Sequence, residues 1–213
     1  MNEQKWLNDE IVNAYCQLLL ARYETDCDMF LFGSHFYSTL IHPKHGFRYE
    51  EVGKWTKNVD LFTKRYLFFP LNDRCHWTLV VADLARKRIV YFDSLPGEGT
   101  VYFRHVLHYL EMEHHAKHHE SPPFDSTEWK CISKVEHVPQ QQNFVDCGVY
   151  MCMFVNILME YAMMTKGDDL LSVRFPFNDE DTSRIRVQMK LDLLNRCIFP
   201  STLPLFEEIE LLK

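Results

Sequence analysis

The sequence lacks any CxxC pair, and its seven cysteines are an odd number. Both features argue against a disulfide framework and against a four-cysteine zinc site. The first residues, MNEQKWLNDEI, also lack the apolar stretch of a signal peptide. Free thiols are typical of proteins in a reducing compartment, so we expect the nucleus or the cytoplasm and not secretion.

Positively charged residues are also fewer than negatively charged ones, and linker-type sequence is missing. The 23 Lys and Arg residues are outnumbered by 30 Asp and Glu, so we expect no nucleic-acid partner. The longest apolar segment, 149–164, is interrupted by Asn156 and Glu160, so we expect no membrane partner. No repeat and no Pro/Gly/Ser-rich linker divides the chain. We therefore predict a monomer with a single domain over 1–213, in which 199–213 forms a C-terminal extension.

Apolar residues make up 46% of the 213 residues, enough for a well-packed core. Their spacing predicts an α+β fold, with a central mixed or antiparallel sheet flanked by helices. The predicted helices cover 8–22, 100–119, 147–164 and 182–197. The predicted strands cover 66–71, 76–82 and 88–93, with a weaker strand signal over 129–138.

The stretch QQQNFVDCGVY places Cys147 at the start of an apolar run with helical spacing, and Asp146 at its N-cap. A thiol in the first turn of a helix lies at the positive end of the helix dipole, which stabilises the thiolate. Gly148 has no Cβ, so a substrate carbonyl could approach closely. Buried structural cysteines are common, however, so the position fits a core residue as well as a nucleophile.

His76 and Asp93 lie near the same end of a predicted hairpin. Its two strands are joined by the charged segment 83–87, and residues paired in a hairpin have numbers with a constant sum. A sum of 169 pairs His76 with Asp93, with Cβ atoms about 5 Å apart. A carboxylate at that distance can hold an imidazole in one tautomer, as in an activated nucleophile with its base and orienting acid.

Acyl transfer also needs a hydrogen-bond donor for the oxyanion. Gln141 lies six residues before Cys147, on the loop that leads into its helix. Gln140 and Gln142 are adjacent candidates, and spacing alone does not choose among the three.

These residues carry a family resemblance. The segments HWTLVV, YFDSL and PQQQNFVDCG, in this order, resemble the Ulp/SENP family of cysteine proteases (peptidase clan CE), which process SUMO and related ubiquitin-like proteins. WLNDEIVNAYCQLL and GKWTKNVDLF are similar to the SUMO-directed branch, and the resemblance extends from Trp6 to Cys197. It assigns four catalytic positions in chain order: the base His76, the orienting acid Asp93, the oxyanion donor Gln141 and the nucleophile Cys147.

The resemblance also implies a substrate and the residues that bind it. Trp6 and Trp77 would enclose the diglycine tail of a ubiquitin-like modifier, and Asp9 would pair with an arginine of that modifier. The partners would be the modifier, SUMO before any other, and its conjugates. The reaction would be hydrolysis after the diglycine, in deSUMOylation or in precursor maturation. No cofactor and no metal is required.

Other functions fit parts of the pattern. A NEDD8-directed protease and a thiol acetyltransferase of the same clan share the order of catalytic residues, and an inactive module would bind the modifier without cleaving it.

His114 and His118, like His115 and His119, have the i,i+4 spacing of helical metal ligands. The HExxH order is missing, so we predict a solvated helix face and no metal. One residue departs from the family: Phe144 replaces a glycine found in many relatives, and we expect a stiffer loop before Cys147.

Overall fold

The computed structural model describes residues 5–23, 28–165 and 168–198, so the predicted extension 199–213 lies outside the described residues. These residues divide into two compact units. The helical unit comprises the described residues of Met1–Cys27, Asp93–Pro96 and Glu136–Lys213. The sheet unit comprises Asp28–Phe92 and Gly97–Val135.

The elements of the described residues follow in chain order. The α-helices are α1 (Asp9–Tyr23), α2 (His35–Leu40), α3 (Tyr49–Val52), α4 (Thr100–Lys117), α5 (Cys147–Thr165) and α6 (Thr182–Asn195). The strands are β1 (Met29–Leu31), β2 (Ile41–His42), β3 (Gly46–Phe47), β4 (Tyr66–Asp73), β5 (His76–Asp83), β6 (Arg88–Phe92) and β7 (Lys130–Ile132). The four long predicted helices and the three predicted central strands are thus present, whereas the weak strand signal over 129–138 yields only three residues.

The sheet unit is built on a five-stranded sheet with the order β1-β4-β5-β6-β7. The three central strands are antiparallel, whereas β1 pairs with β4 and β7 pairs with β6 in parallel. A mixed sheet combined with helices is the predicted α+β class, which is confirmed.

The hairpin of β5 and β6 has a different register from the predicted one. The ladder pairs Leu79 with Phe92 and Asp83 with Arg88, so paired numbers sum to 171 and not to 169. The turn lies one residue later because Asp83 Oδ1 accepts a hydrogen bond from Arg86 N at 3.1 Å, while Lys87 adopts a positive φ of 48°. The predicted direct pairing of His76 with Asp93 is therefore wrong. A shift of two residues, unlike a shift of one, keeps each side chain on its predicted face.

One face of this sheet forms an apolar core with α2 and α4. Alternate residues of β4 enter it, as expected for side chains with a period of two, and Phe69 stacks on Phe32 at a centroid distance of 4.4 Å. Gly99, directly before α4, has a φ of +60°, and a Cβ there would lie 2.5 Å from the Tyr91 ring. Only glycine fits this junction, because both the backbone and the close approach exclude a side chain.

The helical unit packs α1, α5 and α6 against one another. Tyr23 of α1 donates a hydrogen bond to Asn156 Oδ1 of α5 at 2.8 Å. By length and composition alone α5 could cross a membrane, but 78% of its apolar window is buried inside the protein. Its burial, more than the polar residues within it, identifies α5 as a core helix.

Candidate active site

Cys147 is the first residue of α5 and is 3% exposed. The helix begins there because the Asp146 carbonyl accepts hydrogen bonds from Val149 N and Tyr150 N, at 2.8 and 3.0 Å. Asp146 thus occupies the predicted N-cap position. A thiol at this position has the helix-dipole environment expected of a nucleophile, and its burial equally fits a packing residue.

The carboxylate of Asp146 forms a buried ion pair that the sequence did not predict. Arg186, on α6 and 2% exposed, donates from Nε to Asp146 Oδ1 at 2.6 Å, and its Nη2 approaches the same oxygen. Arg186 Nη2 also donates to the Val145 carbonyl at 3.0 Å. Because Asp146 directly precedes Cys147, this pair fixes the start of α5 to α6. Forty positions separate the partners, so no local spacing pattern could have indicated the pair.

The loop before Cys147 is held by four consecutive carbonyl groups, 143 to 146, each of which accepts a hydrogen bond. Outside the helix, the donors are Gln141 Nε2 to Asn143 O at 2.6 Å, Trp6 Nε1 to Phe144 O at 2.6 Å, and Arg186 to Val145 O. Asn143 Oδ1 additionally accepts from Val145 N and Asp146 N, at 2.9 and 3.0 Å. These bonds order the loop, but none of them involves the Phe144 side chain, so the stiffening expected from that residue stays a prediction.

The structure distinguishes the three adjacent glutamines. Gln141 is 6% exposed, whereas Gln140 and Gln142 are exposed. The amide orientation of Gln141 is fixed by its neighbours: Nε2 donates to the Asn143 carbonyl, which can only accept, and Oε1 accepts from Ser94 Oγ at 2.6 Å. Gln141 N also donates to Ser94 O at 2.9 Å, so this buried glutamine is held at both its backbone and its side chain.

Asp93 lies one residue beyond β6, in the short segment assigned to the helical unit. Its Oδ1 accepts from Leu95 N at 2.9 Å, which is an Asx turn, and its carbonyl accepts from Gln140 Nε2 at 2.9 Å. Asp93 therefore has a fixed conformation and shares one stretch of chain with Ser94, the residue that orients Gln141.

His76 and Trp77 open strand β5 in the sheet unit. His76 is half-buried, while Trp77 is 2% exposed. Trp6, the other tryptophan predicted to enclose the substrate tail, is 55% exposed. The burial of Trp77 is what a core tryptophan would show, so its role in tail binding stays a prediction.

Asp9 is the first residue of α1, and Asn8 caps that helix by accepting a hydrogen bond from Ile11 N at 3.0 Å. In the described ranges, no group of three or more His, Cys, Asp or Glu side chains could hold a metal ion. The histidine pair His114 and His118 instead stacks at 5.2 Å, and His118 Nε2 lies 3.0 Å from Asp60.

Comparison with known proteins gives the family. Residues 5–199 match the model of the Ulp1 protease family, C-terminal catalytic domain. The chain belongs to the Ulp1 protease family. This confirms the predicted Ulp/SENP family.

Relatives of this Ulp1-family chain include the mouse (Mus musculus) Sentrin-specific protease 2, 35% identical over 155 residues, which are 72% of this chain and 26% of that protein. Human (Homo sapiens) Sentrin-specific protease 3 is 30% identical over 191 residues, covering 89% of this chain and 29% of that protein. The chain therefore spans between a quarter and a third of the length of these relatives.

Solved structures agree with this assignment. The Ulp1 protease domain in complex with SMT3, the yeast ortholog of SUMO, is 25% identical, with a TM-score of 0.64 over 91% of this chain and 78% of that chain. A de-sumoylating protease, at 23% identity, has the same fold, with a TM-score of 0.68 over 96% of this chain and 87% of that one.

Proposed function

We propose that this Ulp1-family chain is a cysteine protease that hydrolyses the bond after the diglycine of a ubiquitin-like modifier, and that the modifier is SUMO. The observation that carries the proposal is the family match together with Cys147 at the first position of α5, six residues after a buried and oriented Gln141. Relatives named as sentrin-specific proteases, and one solved in complex with the yeast ortholog of SUMO, support this substrate. We place the reaction in the nucleus or cytoplasm, where thiols stay reduced.

In the proposed reaction, the Cys147 thiolate attacks the carbonyl carbon of the terminal glycine. The carbonyl oxygen becomes negatively charged and accepts hydrogen bonds from Gln141 Nε2 and the Cys147 N–H. An amide NH2 has two hydrogens, so the bond from Gln141 to Asn143 leaves one hydrogen for the oxyanion. The Cys147 N–H belongs to the first residue of a helix and has no intrahelical acceptor.

His76 accepts the Cys147 thiol proton as the thiolate forms, and it gives this proton to the leaving amine when the tetrahedral intermediate collapses to a thioester. Water then attacks the thioester, His76 accepts its proton, and the modifier leaves with a free carboxylate while Cys147 is regenerated. In this proposal Asp93 holds the imidazole, Trp6 and Trp77 hold the diglycine tail, and Asp9 binds an arginine of the modifier. The same steps cleave an isopeptide bond to lysine or a precursor peptide bond.

Hydrolysis of fluorogenic C-terminal amides of SUMO, NEDD8 and ubiquitin tests the proposal. We expect release from SUMO, and a loss of about 10⁴-fold or more in kcat for Cys147→Ala. The exposed Cys131 of β7 provides the matched control, since Cys131→Ala should retain activity. Binding without cleavage would indicate an inactive module, preference for NEDD8 would change the substrate, and cleavage that survives Cys147→Ala would refute the mechanism.

A further inference from the structure

Phe144 is the most exposed large apolar side chain in the part of the chain that the structure describes, at 84%. A single exposed apolar residue on a protein surface is ordinary and carries no meaning by itself. Phe144 differs in its place, three residues before Cys147, and in the backbone that carries it. Its own carbonyl accepts the indole N–H of Trp6, which is itself 55% exposed.

The backbone around Phe144 is fixed while its side chain is left to solvent. The carbonyls on both sides of it, of Asn143 and Val145, are bonded by the side chains of Gln141 and Arg186. Asn143 Oδ1 closes the turn by accepting from the next two backbone N–H groups after Phe144. Binding to a side chain presented in this way costs little conformational entropy, because the loop is already ordered.

The hydrogen bond to Trp6 indicates on which side of the scissile bond Phe144 acts. Under the proposed function, Trp6 contacts the modifier tail before the scissile bond, and the Phe144 carbonyl sets the direction of the Trp6 indole. The Phe144 ring extends from the residue whose carbonyl orients Trp6. We therefore expect this ring to contact the modifier and not the leaving amine.

We propose that Phe144 is a substrate-binding residue whose ring packs against the modifier's C-terminal tail, so that it strengthens binding of the modifier irrespective of what is attached to it. This inference rests on the proposed function. The ring takes no part in proton transfer, and its contribution is apolar contact with tail backbone and aliphatic atoms.

The test compares Phe144→Ala with the wild-type protein on two substrates: a full-length SUMO C-terminal coumarin amide and a SUMO–lysine isopeptide conjugate. Partial burial of a Phe ring corresponds to about a tenfold change in affinity, so we expect KM to rise about tenfold for both substrates. kcat should change less than twofold, and the rate of Cys147 alkylation by iodoacetamide should be unchanged. Phe144→Leu, which keeps an apolar surface, should restore most of the affinity.

Leu194→Ala is the exposure-matched control, because Leu194 is 70% exposed on α6 of the same unit and should leave KM unchanged. A defect confined to the isopeptide conjugate would place Phe144 on the leaving-group side and overturn the inference, as would equal KM values for wild type and Phe144→Ala. A wild-type protein that cleaves neither substrate would refute the proposed function itself, which distinguishes the two failures.

Discussion

Two buried acidic side chains, one in each unit, differ in what surrounds them. In the helical unit, Asp146 is paired with Arg186 directly beside Cys147. In the sheet unit, Glu113 of α4 is fully buried and accepts hydrogen bonds from Thr56 Oγ1 at 2.5 Å and Tyr49 OH at 2.7 Å. The first carboxylate is tied to the loop of a proposed nucleophile, and the second is tied to a structural segment.

Lys117 completes the Glu113 cluster. Its Nζ lies 2.7 Å from Glu113 Oε1 and also donates to the carbonyls of Thr56 and Val59, at 2.6 and 2.5 Å. One turn of α4 therefore anchors the irregular segment that follows α3. A buried carboxylate is therefore not in itself a sign of catalysis, and the groups around it decide its role. Variants of the Asp146–Arg186 pair should lower both stability and activity, whereas variants of the Glu113 cluster should lower stability alone.

The largest effect is expected for Arg186→Met in the helical unit. It leaves the Asp146 carboxylate buried without its cation, which should lower the free energy of unfolding by about 3–5 kcal/mol. Activity should also fall, because displacing a catalytic group by about 1 Å can cost about 100-fold. Urea unfolding and SUMO amide hydrolysis measure the two effects. Arg184→Met, which removes an exposed ion pair between α6 and Asp181, the residue directly before that helix, should cost less than about 1 kcal/mol.

Glu113→Gln should give a similar loss of stability without a catalytic defect. Neutralising the fully buried carboxylate leaves Lys117 without its charged partner, and we expect a loss of about 3 kcal/mol. kcat/KM measured below the unfolding transition should stay within twofold of wild type. Glu111→Gln, at an exposed pair with His108, is the control and should be neutral in both assays. A strong catalytic defect in Glu113→Gln would erase the contrast between the two clusters.

Gln141→Ala, in contrast to Glu113→Gln, should affect catalysis more than it affects the free energy of unfolding. Loss of one oxyanion donor typically lowers kcat about 10²–10³-fold, with little change in KM. Gln142→Ala, at the exposed neighbouring position, should be as active as wild type. If Gln142→Ala were the defective variant, the assignment based on the buried Gln141 amide would be wrong.

The smallest expected effect is the contribution of His105, in the sheet unit, to the pH dependence of stability. Burial lowers the pKa of His105, and the nearby Arg104 and His108 lower it further, against a smaller opposing influence of Asp73. The unfolded chain then binds a proton more readily than the folded protein, so this contribution to stability is present above about pH 6.5 and is lost as the pH falls. Thermal unfolding between pH 7 and 5 should therefore show a shallower decline for His105→Gln. Identical profiles would contradict this assignment.

The sequence predicted those elements that depend on local periodicity. The helix that begins at Cys147 and the strand that begins at His76 both follow from patterns of a few residues. Sequence patterns did not predict the Asp146–Arg186 pair, because its partners lie 40 positions apart. They also placed the hairpin register incorrectly, because the turn geometry with a positive φ at Lys87 is not visible in the periodicity of the strands. Spacing left three glutamines open, and the family resemblance chose Gln141. Its burial and its hydrogen bond from Ser94 depend on residues far away in the chain, and its catalytic role stays a prediction. The single domain, the monomeric state and the cellular compartment stay predictions.

The most direct test of the account is the intact mass of the protein after incubation with SUMO that carries a C-terminal electrophilic trap. We predict one covalent adduct, with the modified peptide containing Cys147, and no adduct with Cys147→Ala. An adduct on another cysteine, or no adduct on a folded protein that binds SUMO, would contradict the claim that Cys147 is the nucleophile.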